Sequence, residues 1–417
     1  MTVSRQPALI LGAFGTFGRL ITDNLARTTD LPLIAAGRRL PERHDVCRPG
    51  IRTLAVDSHA LSTAELKKLD PAVLIDTVGP FQARDRKLAQ ICIALGIHYL
   101  DIADGRDFVQ NVGALNAAAV ARNVLVVSGA STLPALSSAV IESLAGEFSE
   151  IEAIDIGIAP GFSGPRGLAT IRSVLGYVGR PIPVWRQAKM RWASGWGDTE
   201  RYRYPPPVGR RNLSSIDVPD TILIPLCYPN LRQLAVRAGH DVPLVHHALR
   251  LFGVLVRIGL IRDLAAHARM MQRMAGWFDG FGSNNGAMHV RLRGRGNDGC
   301  AQSRTWTLIA ENGDGPRIPT TAAVVLTKKL LNVPGYAPIA KRGAMPASNL
   351  LTLGEFEREW RTLAIRTMVT GEPCAEPIAH PPDGTYTNLD LQHHEFDPRA
   401  RSNSWSRSLH IVRLEPR

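Results

Sequence analysis

The sequence predicts an α/β chain, a doubly wound parallel sheet followed by an α+β second domain built on an antiparallel sheet. Short apolar runs alternate with amphipathic segments from residue 8 to about 128. Three glycines, Gly12, Gly15 and Gly18, stand between the first apolar run and the first amphipathic segment. Beyond residue 150 the apolar runs change to an in-and-out alternation. A chain of 417 residues is long enough for two domains and a tail. The expected division is 1–130, completed by 350–366, then 131–349, then a tail over 367–417.

The expected strands of the first domain are 8–11 (ALIL), 33–36 (LIAA), 52–56 (RTLAV), 72–78 (AVLIDTV), 98–103 (HYLDIA) and 124–128 (VLVVS). Helical patterns separate them, clearest in FGRLITDNLART, ARDRKLAQICIALG and GRDFVQNVGALNAAAVARN. Near-continuous Val, Ile and Leu suit strands covered on both faces, and βα alternation requires right-handed crossovers into a parallel sheet. Six such strands in sequence look like a Rossmann fold.

In that setting G-x-x-G-x-x-G is a phosphate cradle. Gly12 permits the tight turn, and Gly15 lets the backbone approach a pyrophosphate. Gly18 lets the helix pack close to the strand with its N-terminal amides aimed at the phosphates. Phe14, Thr16 and Phe17 fall between the glycines and belong to the same cradle. An NAD-selecting carboxylate belongs at the end of strand two, about 20 residues past the glycines. Gly37, Arg38 and Arg39 stand there instead. A guanidinium grips a 2′-phosphate that a carboxylate would repel, so the expected cofactor is NADP(H); solvated surface arginines are the alternative. Asp57, ending strand three, either accepts from the adenine amine or caps the next helix. Thr77, Val78, Gly79 and Pro80, ending strand four, are expected to line the nicotinamide.

A longer pattern, VGPFQARDRKLAQICIALGIHYLDIADGRDFV, resembles the saccharopine dehydrogenase-like oxidoreductases in Gly79, Pro80, Phe81, Gly96, Tyr99 and Asp101. SGASTLPALSSAVIESL (128–144) and RTWTLIAENGDGPRIPTTAAVVLTKKLL (304–331) are similar to further segments of that family. Many members follow the Tyr-x-Asp element with Gly-Glu, where this chain has Asp104 and Gly105. Residues that read an amino-acid substrate in saccharopine-forming members are not matched. The resemblance therefore implies the fold and a nicotinamide cofactor rather than the namesake reaction.

In the second domain IEAIDIGIAP (151–160) alternates like a half-buried strand, and AMHVRLRGRG with CAQSRTWTLIAENG forms a hairpin through GNDG. Helices are expected in GLATIRSVLGYVG, TTAAVVLTKKLLN and TLGEFEREWRTLAI, the last (352–365) returning to the first domain as in the family it resembles. The loop 195–212, rich in aromatic residues, Arg and Pro, reads equally as a lid or a surface excursion. Segment 243–271 has no uncharged span long enough for a membrane crossing. Its periodicity favours a buried helix with a cationic edge over an interfacial helix resting on anionic lipid. Residues 368–417 lack apolar periodicity and are expected to have little order.

The net charge of +12 favours anionic partners. The cations are spread from Arg5 to Arg417 without a long block, so nucleic acid is set aside. The cysteines (47, 92, 227, 300 and 374) form no Cys-x-x-Cys pair, which argues against a disulfide framework and fits a reducing compartment. His393, His394 and Glu395 lack a third spaced ligand, so no metal is expected. The short apolar N-terminus reads as a first strand, so a cytoplasmic location is expected. A peripheral contact with the inner membrane surface through 243–271 and a homodimer are left open.

No Gly-x-Ser-x-Gly elbow or His-Glu-x-x-His pair is present, which removes support for hydrolases. Nor is there a Tyr-x-x-x-Lys pair after the sheet, which separates the chain from short-chain reductases. The titratable groups nearest the expected nicotinamide are Tyr99, Asp101 and Asp104, the candidate catalytic residues. A buried structural carboxylate is the equal alternative for Asp101. Arg106 is a candidate for holding an anionic oxygen, although Asp104 and Arg106 fit a helix cap and its neighbour slightly better. Trp306, Glu311, Asp314 and Thr320 are the substrate-facing candidates of the second domain. The expected activity is NADP-dependent hydride transfer at a C=O, C=C or C=N bond of a small organic or lipid-like molecule. A non-catalytic NADP-binding sensor or scaffold is the competing reading.

Overall fold

The apolar runs of the first third become strands of one parallel sheet. In the computed structural model, which describes residues 6–40, 51–82, 84–164 and 167–373, they are β1 (Ala8–Leu11), β2 (Leu33–Gly37), β3 (Ile51–Ala55), β4 (Val73–Asp76), β5 (His98–Asp101) and β6 (Leu125–Ser128). Helix α1 (Thr16–Thr28) follows β1, α2 (Thr63–Leu69) follows β3 and α3 (Lys87–Leu95) follows β4. After β5 come α4 (Arg106–Gln110) and α5 (Asn116–Ala121), and after β6 comes α6 (Ser137–Ala145). The strand order is β3-β2-β1-β4-β5-β6, and all pairs are parallel. The order reverses between β1 and β4, which opens a crevice beyond their carboxyl ends. A seventh strand, Gly343–Pro346, pairs with β6.

Period-two alternation sorts this sheet's side chains into two layers. Leu9, Leu11, Ile34, Leu74, Tyr99 and Val126 face α2, α3 and α5. Ile10, Leu33, Ile75, Leu100 and Val127 face α1, α6 and the second sheet.

The later strands are β7 (Phe148–Ala159), β8 (Pro181–Arg186), β9 (Lys189–Ser194), β10 (Thr199–Arg203), β11 (Arg210–Ser215), β12 (Gln233–Ala238), β13 (Gly286–Gly296) and β14 (Ala301–Ala310). Gly343–Pro346 is β15, and β16 is Ile365–Pro373. The helices among them are α7 (Leu168–Tyr177), α8 (Asp220–Cys227), α9 (Pro243–Arg257), α10 (Ala268–Gly276), α11 (Ile318–Leu330) and α12 (Leu353–Trp360). Nine strands form a second, mostly antiparallel sheet in the order β10-β11-β12-β7-β13-β14-β16, with β8 joining β12 to β9. Only β7 and β12 run parallel among its described pairs. The expected hairpin is β13–β14, closed by Gly296 N donating to Cys300 O at 2.8 Å. Ile154, Ile156, Val290, Leu292, Trp306 and Leu308 put the apolar face of this sheet into the core shared with the first.

Three expectations change. Segment 195–212 is neither lid nor excursion: it forms the hairpin β10–β11 at the sheet's end, with Trp196 and Tyr204 buried. Tyr202 stacks on His289 of β13 with ring centroids 3.8 Å apart, and Tyr204 Oη lies 2.9 Å from His289 Nδ1. Segment 243–271 is only half buried, since α9 and α10 each cover one side and expose apolar residues on another. Residues 367–373, assigned by composition to the tail, belong to β16 paired with β14.

The return to the first sheet is made by β15, ahead of α12, which touches α1 through Asn24 and Glu359. His393, His394 and Glu395 lie outside the described residues. No described helix is long and apolar enough to cross a membrane.

Candidate functional site

A cleft of about 830 Å³ lies at the carboxyl ends of β1, β2 and β4, in the size range of ligand sites. Its floor is the glycine turn. Gly12 has φ +76°, and a Cβ there would stand 2.6 Å from Thr77 Oγ1. A Cβ on Gly18 would stand 2.2 Å from Gly12 O, so only glycine lets α1 sit this close to the turn. Gly12, Phe14, Gly15, Thr16 and Phe17 line the cleft, while Gly18 is buried beneath them. Gly15 caps α1 without a side-chain bond, so the first-turn amides face the cleft.

One end of the cleft is bounded by Arg38, Arg39, Asp57, Ser58 and His59. Arg38 and Arg39 are exposed, and neither has an ion-pair partner among the described residues. Asp57 Oδ1 accepts from His59 N at 3.0 Å, a local cap that leaves the carboxylate on the rim.

At the other end, Thr77, Val78, Gly79 and Pro80 form the wall. A network that sequence reasoning missed holds this turn. Asp76, fully buried, accepts from Val78 N at 2.9 Å and from Arg84 Nη1 at 2.6 Å. The same Arg84 nitrogen donates to Val78 O at 2.7 Å. Burial pushes the Asp76 carboxyl above its usual range, and Arg84 pulls against it. Thr77 Oγ1 donates to Leu11 O at 2.7 Å and ties the turn to β1.

The far wall comes from a distant stretch: Gly167, Leu168, Ala169, Thr170 and Arg172 at the start of α7, and Arg269 on α10. Sequence reasoning missed these as well. The one available signal was the glycine-rich run GFSGPRG ahead of α7.

The three candidate catalytic residues fall in two places. Tyr99, 2% exposed, belongs to the layer under α3, where its hydroxyl donates to Asp76 Oδ2 at 3.4 Å. Asp101, 1% exposed, accepts at one oxygen from Ala103 N, Gly129 N and Ser128 Oγ at 2.9–3.0 Å, tying the end of β5 to that of β6. Burial raises its carboxyl to about 7. Neither side chain lines the cleft. Asp104 is half buried and bridges the two halves of the molecule. It accepts from Ser173 Oγ of α7 at 2.6 Å and from Gln82 Nε2 at 3.1 Å, and burial raises its carboxyl.

Of the substrate candidates, Arg106 is ion-paired to Asp217 at 2.7 Å and to Asp107, so its charge is neutralised within the chain. Trp306 is a core residue, 1% exposed. Glu311 pairs with Arg366 of β16. Thr320 is buried and donates to Arg317 O at 2.7 Å, and Asp314 accepts from Ala364 N at 2.8 Å. None of these five lines the cleft.

Residues 8–140 match the family model described as Saccharopine dehydrogenase NADP binding domain. No curated protein matches the chain. Among solved structures the chain is similar to saccharopine dehydrogenase (L-Glu forming) from Saccharomyces cerevisiae, at 13% identity and TM-score 0.62, covering 88% of this chain and 100% of that one. It is also similar to a homospermidine synthase from Legionella pneumophila in complex with NAD, at 10% identity and TM-score 0.55, covering 92% and 96%. At these identities the likeness is one of fold.

Proposed function

We propose that the chain, whose residues 8–140 match the family model described as Saccharopine dehydrogenase NADP binding domain, is an NADP-dependent oxidoreductase acting on a small organic or lipid-like substrate. The observation that carries this reading is one continuous cleft. It runs from the exposed Arg38 and Arg39, past the N-terminus of α1, to the Thr77–Pro80 turn, which suits an extended dinucleotide with a phosphate at its far end.

When bound there, the nicotinamide supplies or accepts a hydride at a C=O, C=C or C=N bond. The chain's own residues bind and orient the cofactor. The first-turn amides of α1 receive the pyrophosphate, and Arg38 and Arg39 grip the 2′-phosphate. The turn held by Asp76 and Arg84 fixes the nicotinamide end. Asp104, its carboxyl raised by burial, accepts from Ser173 Oγ of α7 and from Gln82 Nε2, which positions α7 at the cleft. Peripheral membrane contact rests on a different observation, the exposed stripes of α9 and α10.

A non-catalytic sensor is favoured by one feature, the internal pairing of Asp104 and Arg106. The two readings part in an assay of NADPH oxidation against carbonyl, enoyl and imine compounds. Turnover that falls at least tenfold in Asp104→Asn, with NADPH affinity unchanged, supports the enzyme. Tight NADPH binding without turnover of any compound supports the sensor.

A further inference from the structure

Helices α9 and α10 each carry two apolar stripes, and only one of each is used by the fold. On α9, His246 and Gly253 are buried and Leu249, Phe252 and Val256 pack on the core. Leu244, Leu251, Val254 and Ile258, spaced to share another side of the helix, are exposed. On α10, Ala268 is buried and Met271 packs inward, while Met270, Met274 and Trp277, again on one side, are exposed. Leu260 between the helices and Phe281 after them are exposed as well. Trp277 and Phe281 are 76% and 77% exposed. So many large apolar side chains grouped along one 38-residue stretch, 244–281, mark an interaction surface.

The charge on this stretch is one-sided. Residues 243–281 carry five arginines, at 250, 257, 262, 269 and 273, against Asp263 and Asp279. All five arginines are exposed. A second copy of the chain is a poor occupant. A two-fold interface meets itself, which would set five guanidinium groups against five others with few carboxylates between them. A flat anionic surface with an apolar interior complements both features, since apolar side chains enter the acyl boundary while arginines stay at the headgroups.

We propose that the exposed faces of α9 and α10, with Leu260, Trp277 and Phe281, dock the protein on an anionic lipid bilayer. The protein lies on the membrane without crossing it, since no described helix can span. Arg269 belongs both to this surface and to the lining of the dinucleotide cleft, so the docked membrane adjoins the cleft. The docking itself does not depend on the oxidoreductase reading.

The test is flotation of the purified full chain with vesicles of phosphatidylcholine alone, or with one third phosphatidylglycerol. The expected result is binding to the anionic vesicles only, weakened by salt. Trp277→Ala/Phe281→Ala should lower vesicle affinity at least tenfold, and Arg257→Glu/Arg262→Glu/Arg273→Glu should abolish it. Because these side chains are exposed and lie off the cleft, both variants should keep the wild-type melting temperature and NADPH affinity. A blue shift of tryptophan emission on vesicles, lost in Trp277→Phe, gives a second readout. The proposal is overturned if wild type fails to float, if it floats equally with neutral vesicles, or if the variants bind like wild type. It is equally overturned if light scattering shows a wild-type dimer that Trp277→Ala/Phe281→Ala converts to a monomer.

Discussion

Arg38 and Arg39 give the sharpest test of the cofactor assignment. They stand on the rim of the cleft just beyond β2, exposed, with no ion-pair partner among the described residues. Truncating both to alanine therefore breaks no ion pair among the described residues, and a loss confined to NADPH belongs to the ligand. A hydrogen bond to a charged group contributes about 1.5–3 kcal/mol. Solvent reaches both side chains, so the lower end applies, roughly tenfold per arginine and roughly 100-fold for the pair. NADH lacks the 2′-phosphate, so its affinity should stay within about twofold in the same variant. Calorimetric titration of wild type and Arg38→Ala/Arg39→Ala with NADPH and NADH, at low and high salt, measures all of this. The NADPH preference should shrink as salt rises, since ions screen exposed charges beyond about 10 Å at 0.1 M. The reasoning fails if wild type binds NADH as tightly as NADPH, or if the variant loses both in equal measure.

Two further predictions concern stability. The Arg84–Asp76 pair is 2.6 Å apart with side chains 11% and 1% exposed. Arg84→Leu leaves a buried carboxyl without its partner and should cost about 3 kcal/mol in urea unfolding, part of which Asp76→Asn restores. Strict additivity of the two substitutions would contradict the coupling. Asp101 and Asp220 are both buried with carboxyls raised to about 7. A folded pKa above the unfolded value, about 3.9, gives stability that is full below the unfolded value and lost as pH rises through 7. The melting temperature should therefore rise as pH falls from about 8 to about 5.5. Asp101→Asn/Asp220→Asn should flatten that slope, and an unchanged slope would count against the assignment.

Where the candidate site could be read from the sequence, local geometry explains why. The turn Gly12–Gly18 depends on a positive φ and two close approaches within seven residues, so its constraint is written in consecutive positions. The same holds for Arg38, Arg39 and Thr77–Pro80, each a step past the end of an apolar run. Tyr99 and Asp101 were harder. Alternation along β5 puts them on the same side of the strand, but only the placement of α3 makes that side a closed layer away from the cleft. Hairpin β10–β11 reads as a loop by composition because its partner rings, above all His289, come from β13. Arg172 and Arg269 reach the cleft from helices that nothing near the glycine turn announces.

From the order of residues alone one obtains the doubly wound parallel sheet, the hairpin β13–β14 and the dinucleotide cradle, since each follows from periodicity or turn chemistry over a few neighbouring positions. Which stripe of α9 is buried, which arginines find an ion-pair partner and which carboxyls lie dry were settled only by assembly. Two apolar stripes of similar composition are equivalent until one meets a core. Whether a charge is neutralised depends on partners such as Asp217 for Arg106, 111 positions away in the chain, because burial and Coulomb attraction act through space rather than along the backbone.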